Sequence, residues 1–214
     1  QHGYDVSVVA SPGDTFERMV EELSVRGYAI PMKREISPWR DIVALFRLWR
    51  LFRLERPHIV HGHTPKAGLL SMLAAALAGV PVRIYHLHGL RFETAKGLKR
   101  FVLKLTEWLA CFLAHKVIAV SPSVAQAVVK EGMCAQAKIS VLANGSANGV
   151  DAKNRFNPKL IESSVRTRLR QQYRIPDDAV VLGFVGRLVK DKGIVELVDA
   201  WRIISAKHSN LHLV

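Results

Sequence analysis

Short apolar runs alternate with longer helical stretches along most of this chain, and that alternation constrains the fold more than any other feature. The strand-like runs are 6–10, 59–63, 82–88, 116–120 and 139–142. Between them, 14–26, 41–56, 66–78, 97–114 and 123–131 have helical length or periodicity, with Gly27, Pro57, Gly79 and Gly132 as their stops. Strands separated by helices form parallel βα units rather than hairpins. The expected fold is therefore α/β, a doubly wound parallel sheet whose ligands gather at the carboxyl ends of its strands.

After Val150 the texture changes to a polar, charged stretch, 151–178, with Pro158 and Pro176 around a helical run at 161–173. A new βα unit then starts at Val180, continues through a helix at 195–207 and reaches the apolar segment 211–214. The expected division is a Rossmann-like domain at 1–150, an interdomain connection at 151–178 and the start of a second Rossmann-like domain at 179–214. With 214 residues, 49% of them hydrophobic, the chain has the means to bury a substantial core.

The balance of 31 Lys plus Arg against 18 Asp plus Glu gives a formal charge of +13 and favours an anionic partner. Basic and aromatic residues do not interleave as in a stacking platform, so nucleic acid is not expected. Cys111 and Cys134 lack metal-type spacing and are read as buried, reduced thiols. No signal peptide is visible, and no apolar run reaches the roughly 18 residues of a spanning helix.

In V-L-G-F-V-G-R-L-V-K-D-K-G, residues 181–193, a strand runs into a glycine turn followed by Arg187, Lys190 and Lys192. Glycine at 186 lets backbone approach a ligand, and cations at a helix N-terminus neutralise phosphate. The stretch is neither a Walker loop nor a dinucleotide fingerprint. Its chemistry suits a diphosphate, with a solvated basic loop as the plain alternative.

His88 closes its strand just before Gly89, at the ligand edge of a parallel sheet, where a near-neutral imidazole suits proton handling or hydrogen bonding. His61 and His63 share one strand face, as do His86 and His88. Four imidazoles converge if the strands adjoin. No Cys, Asp or Glu accompanies them and one pair is expected to point into packing, so no metal site is expected. Ser121 is read first as a helix cap, and Asn144, Gly145, Asn148 and Gly149 as a loop rich in left-handed conformers. In 97–114, Leu98, Phe101, Val102, Leu105, Trp108, Leu109 and Phe112 form a stripe expected to pack on the core, with Lys99, Arg100 and Lys104 solvated opposite.

Five pieces in order resemble glycosyltransferase family 4, which has the GT-B fold: H-G-Y-D-V-S-V-V near the start, H-I-V-H-G-H-T-P-K-A-G at 58–68, H-L-H-G at 86–89, V-L-A-N-G-S-A-N-G-V-D at 141–151, and the turn at 181–193. The resemblance implies a retaining transfer of sugar from a nucleotide-diphosphate donor, expected to be a UDP-sugar, to a hydroxyl acceptor, with no other cofactor. The closest texture is that of bacterial enzymes building capsule or exopolysaccharide on polyprenyl-diphosphate lipid. Residue by residue, Arg187 and Lys192, with Gly186, match the family's diphosphate-binding positions. His88 matches the histidine near the reaction centre. His63, Lys66, Gly89, Ser121, Asn144 and Asn148 are expected along the acceptor side of the cleft. A cytoplasmic enzyme peripheral to the inner face of the plasma membrane is expected, with anionic lipid as a further partner. The family's first strand with its glycine-rich turn and its later E-x7-E motif are absent, so the chain is expected to be a fragment, inactive alone. The main rival is a non-catalytic nucleotide- or phosphosugar-binding module.

Overall fold

The computed structural model describes residues 3–33, 37–143, 145–147 and 149–214. Asn144 and Asn148, expected along the cleft, lie outside the described residues. The chain divides into two units, residues 1–149 and 150–214.

The first unit runs β1 (Ser7–Ala10), α1 (Asp14–Leu23), β2 (Arg26–Ala29), α2 (Pro38–Glu55), β3 (Ile59–His63), α3 (Pro65–Ala78), β4 (Val82–Leu87), α4 (Gly97–Leu113), β5 (Lys116–Ala119), α5 (Pro122–Lys130) and β6 (Ile139–Val141). β1 and β2 pair in parallel, and β3, β4, β5 and β6 form a parallel sheet in that order. The fold is α/β with parallel sheets, as the alternation of strands and helices requires. Among the described residues of this unit, β2 is the strand that the sequence pattern hid. Its R-G-Y-A is short and barely apolar, and Gly27 reads as a helix stop. The stop is instead Ser24, left-handed at φ 50°, whose N–H bonds Glu21 and Val20 carbonyls. Gly27 lies inside β2, where a Cβ would come within 2.5 Å of Val20 Cγ2.

From β3 to β6 each crossover advances by one strand in one direction, so right-handed connections place α3, α4 and α5 on the same face. Small residues set the fit between α3 and the sheet. A Cβ on Gly62 of β3 would fall 2.3 Å from Ser71 Oγ, and one on Gly68 of α3 would fall 2.2 Å from the Tyr85 ring. The glycines of H-G-H-T-P-K-A-G therefore serve close strand-to-helix packing. Tyr85, Leu87, Val117, Met72, Leu48 and Val128 are among the largest fully buried side chains of the core.

One expectation about α4 is reversed. Its apolar stripe points outward, with Leu98 79%, Phe101 64% and Phe112 63% exposed and Leu105 and Trp108 also exposed. The helix buries Glu107, Ala110 and Cys111 instead. Small residues and a carboxyl bonded to Tyr85 pack more closely against α3 and the sheet than the bulky stripe would. Of the basic residues, Arg100 and Lys104 pair with Glu131. Cys111 and Cys134 are free and buried. No helix among the described residues is long and apolar enough to cross a membrane.

The second unit holds α6 (Ser163–Gln172), β7 (Val180–Leu182), α7 (Ile194–Ser205) and β8 (Leu211–Leu213), with β7 and β8 parallel and Val180 level with Leu211. The pairing is continued past β7 by Phe184, whose N–H donates to the Val214 carbonyl at 2.7 Å.

Candidate functional site

All four strands of the larger sheet end at one edge, because they are parallel. β3 and β4 adjoin with His63 level with His86. Side chains alternate along a strand, so with Gly62 and Tyr85 facing α3, the histidines at 61, 63, 86 and 88 all take the other face. Neither pair is turned into the helix layer. The four rings form one cluster: ring centres are 4.2 Å apart for His61 and His63, 5.1 Å for His63 and His86, 4.6 Å for His86 and His88, and 5.3 Å for His63 and His88. His63 Nδ1 and His88 Nε2 are 3.0 Å apart, a hydrogen bond whose donor is set by the tautomers.

Burial, then the neighbouring imidazoles, hold the His63 ring down at about 4. Burial also lowers His61 and His86, with His88 adding to both. These three rings are thus uncharged at neutral pH, and a neutral imidazole keeps one ring nitrogen as an acceptor. His86 is only 5% exposed, and neither of its ring nitrogens has a hydrogen-bond partner among the described residues.

Around the cluster, Gly89 follows His88 at φ 144°, a turn that a side chain would strain. Thr64 follows His63 at φ 66° and ψ 156°, a conformation that β-branched residues avoid. Nothing in the sequence flags Thr64, since its neighbour Pro65 reads only as a helix start. Lys66 turns to α2, where its Nζ lies 2.6 Å from Asp41 Oδ1. Ser121 does cap α5, its Oγ accepting from Val124 N–H at 3.2 Å. The loop after β6 rests on the same stem: Ser146 N–H donates to the Val120 carbonyl at 2.6 Å, and a Cβ on Gly145 would come within 2.6 Å of that oxygen. Beneath the cluster sits a group that sequence reasoning missed, the buried Glu107, which accepts a 2.6 Å hydrogen bond from Tyr85 Oη.

In the second unit, Gly186, Arg187 and Lys192 lie exposed between β7 and α7. Lys192 closes a 3-10 turn, Lys190–Lys192, and Gly193 follows in the left-handed region at φ 73° as the cap of α7. The cap is a glycine and offers no side chain to the helix start, and Lys192 stands immediately before it.

The first unit is thus a parallel α/β domain with an imidazole cluster at the carboxyl edge of its sheet. The Glycosyl transferase 4-like domain matches residues 1–145, and the chain belongs to that family. It is 39% identical over 211 residues to the capsular polysaccharide biosynthesis glycosyltransferase CapM of Staphylococcus aureus, covering 98% of this chain and 53% of CapM. It is 29% identical over 205 residues to the UDP-Gal:alpha-D-GlcNAc-diphosphoundecaprenol alpha-1,3-galactosyltransferase of Escherichia coli, covering 94% and 50%. The chain thus spans about half the length of the curated relatives it matches. Among solved structures, Anabaena Alr3699/HepE in complex with UDP-glucose superposes with a TM-score of 0.70 at 19% identity, over 97% of this chain and 51% of that one, a likeness of fold.

Proposed function

We propose that this chain belongs to a retaining glycosyltransferase of surface polysaccharide assembly, with the first unit serving the acceptor and the second the diphosphate of a UDP-sugar. The observation that carries the reading is the His63 and His88 pair at the ends of neighbouring parallel strands, in a chain 39% identical to a capsular glycosyltransferase over 98% of its length. His88 hydrogen-bonds a hydroxyl at the reacting centre, and His63 orients its ring. Arg187 and Lys192 offset the charge that builds on the leaving diphosphate, a stabilisation that grows toward the transition state. The acceptor is a glycan on polyprenyl diphosphate, a reading supported by the name of the Escherichia coli relative. The outward stripe of α4 and its basic neighbour Lys99 support peripheral attachment to an anionic membrane where such an acceptor resides.

The test is release of nucleoside diphosphate by the full-length protein with a panel of sugar nucleotides. One preorganised electrostatic group is worth about 10²–10³ in kcat, so changing Arg187 and Lys192 together to alanine should lower turnover by at least that factor. Binding of sugar nucleotide with no turnover in the parent protein identifies a non-catalytic module instead. Unchanged turnover in the double variant removes the role given to the basic turn.

A further inference from the structure

We propose that His61, His63 and His86 form a binding site for a divalent transition metal ion of the zinc class. Each residue offers one ring nitrogen, and the three nitrogens lie within 4.8 Å of one another. Zinc–nitrogen bonds of about 2.0–2.1 Å put tetrahedral ligands about 3.4 Å apart, so side-chain rotation must draw the set in and turn the parallel rings of His61 and His86, 5.4 Å apart, toward a common point. The ligands stand on two hydrogen-bonded strands in fixed register, which limits how far apart they can drift.

The second observation is independent of the spacing. His86 is buried with both ring nitrogens unpartnered among the described residues. A buried polar group without a partner is costly, and natural proteins rarely leave one without a water or an ion to satisfy it. A metal held by His61 and His63 supplies that partner from the very face into which His86 is turned. The contact between His63 Nδ1 and His88 Nε2 leaves Nε2 of His63 for the ion, and ligating imidazoles ordinarily engage their second nitrogen in this way. An all-imidazole set favours zinc, nickel, cobalt or copper over magnesium or calcium. Three protein ligands leave a fourth position for water or a substrate oxygen.

The test is titration of zinc, and separately of cobalt, into metal-stripped full-length protein, read by calorimetry and by the visible absorption of bound cobalt. One ion per chain is expected. Loss of a mere supporting group around a metal typically weakens binding about 10–100-fold, so His61→Ala and His63→Ala should each weaken it by at least that much. His58→Ala and His208→Ala, outside the cluster, should bind as the parent does. His61 is exposed, so its variant is expected to keep the parent circular dichroism. No uptake by the parent overturns the proposal, and so does equal affinity in the parent and in the His61 and His63 variants. Neither readout depends on sugar transfer, so loss of this site leaves the glycosyltransferase reading standing, and the reverse.

Discussion

Tyr85 on β4 and Glu107 on α4 are joined by a 2.6 Å hydrogen bond, phenol to carboxyl, with both side chains buried. Burial pushes the Glu107 carboxyl up from 4.5 to about 7, against the opposing pull of the Tyr85 hydrogen bond. Its folded value is raised, so the stability it contributes is fully present below the unfolded value and is lost as pH rises through the folded one. At about 1.4 kcal/mol per pH unit, the protein should lose on the order of 3 kcal/mol from this group between about pH 4.5 and pH 7. Glu107→Gln keeps an acceptor for Tyr85 and removes the proton. Denaturant unfolding across this window should show a steeper decline in the parent than in the variant. Parallel curves would mean that Glu107 titrates as an ordinary surface carboxyl.

The Tyr85 ring also sits where a Cβ on Gly68 would be, 2.2 Å and 2.8 Å from its ring carbons. Two effects oppose each other in Gly68→Ala. Helix propensity gains about 1 kcal/mol, while overpacking a filled core costs typically 1–3 kcal/mol. The clash should win, because Tyr85 is fully buried and tied by its hydroxyl to Glu107, so its ring has no route of escape. A net loss of about 1 kcal/mol is expected in the unfolding free energy. A stabilised Gly68→Ala would show that the α3 and β4 contact relaxes freely.

Thr64 poses the converse case. Held at φ 66°, a threonine stores on the order of 1–3 kcal/mol, whereas a glycine there adds about 0.5–1 kcal/mol of unfolded-state entropy. Thr64→Gly should therefore stabilise the fold by up to about 2 kcal/mol in thermal or denaturant unfolding. If the strain serves to aim His63 at His88, the same variant should lower sugar-transfer kcat more than it changes KM. A destabilised variant would show that the Thr64 side chain contributes contacts worth more than the strain.

The strands that carry the histidines were legible because Ile59–His63 and the 82–88 run are apolar, short and flanked by helices. That the two pairs share one face was not. Face depends on register between segments some twenty residues apart, and no local pattern in either strand encodes it. The α4 stripe misled for a related reason: periodicity finds an apolar face but is silent on which way it turns. Here the narrow row of Glu107, Ala110 and Cys111 fits the core, and the wide row of Phe101, Trp108 and Phe112 does not. Glu107 itself was invisible, since a single glutamate within a helix reads as solvated until a buried phenol is found opposite. The capping role of Ser121 was readable, because serine before proline at a helix start is a local signal.

The outward stripe of α4 yields the last expectation. Leu98, Phe101, Leu105, Trp108 and Phe112 recur every three or four residues, so they lie along one line of the helix and can enter an interface together. Lys99 is exposed beside them, while Arg100 and Lys104 share the one carboxylate of Glu131, which offsets one of their two charges. Apolar insertion should therefore outweigh charge on this helix: burying a large side chain is worth about 1.5–3 kcal/mol, against about 1 kcal/mol for a cation near an anionic surface. Co-sedimentation with vesicles of anionic lipid should fall by about tenfold or more for Phe101→Ser, and by less than that for Lys99→Gln. Raising the salt should weaken the parent only modestly through this helix, because a buried ring is not screened. Binding that ignores Phe101→Ser yet collapses in salt would assign membrane contact to the arginines of α2 instead, whose Arg47, Arg50 and Arg53 are exposed.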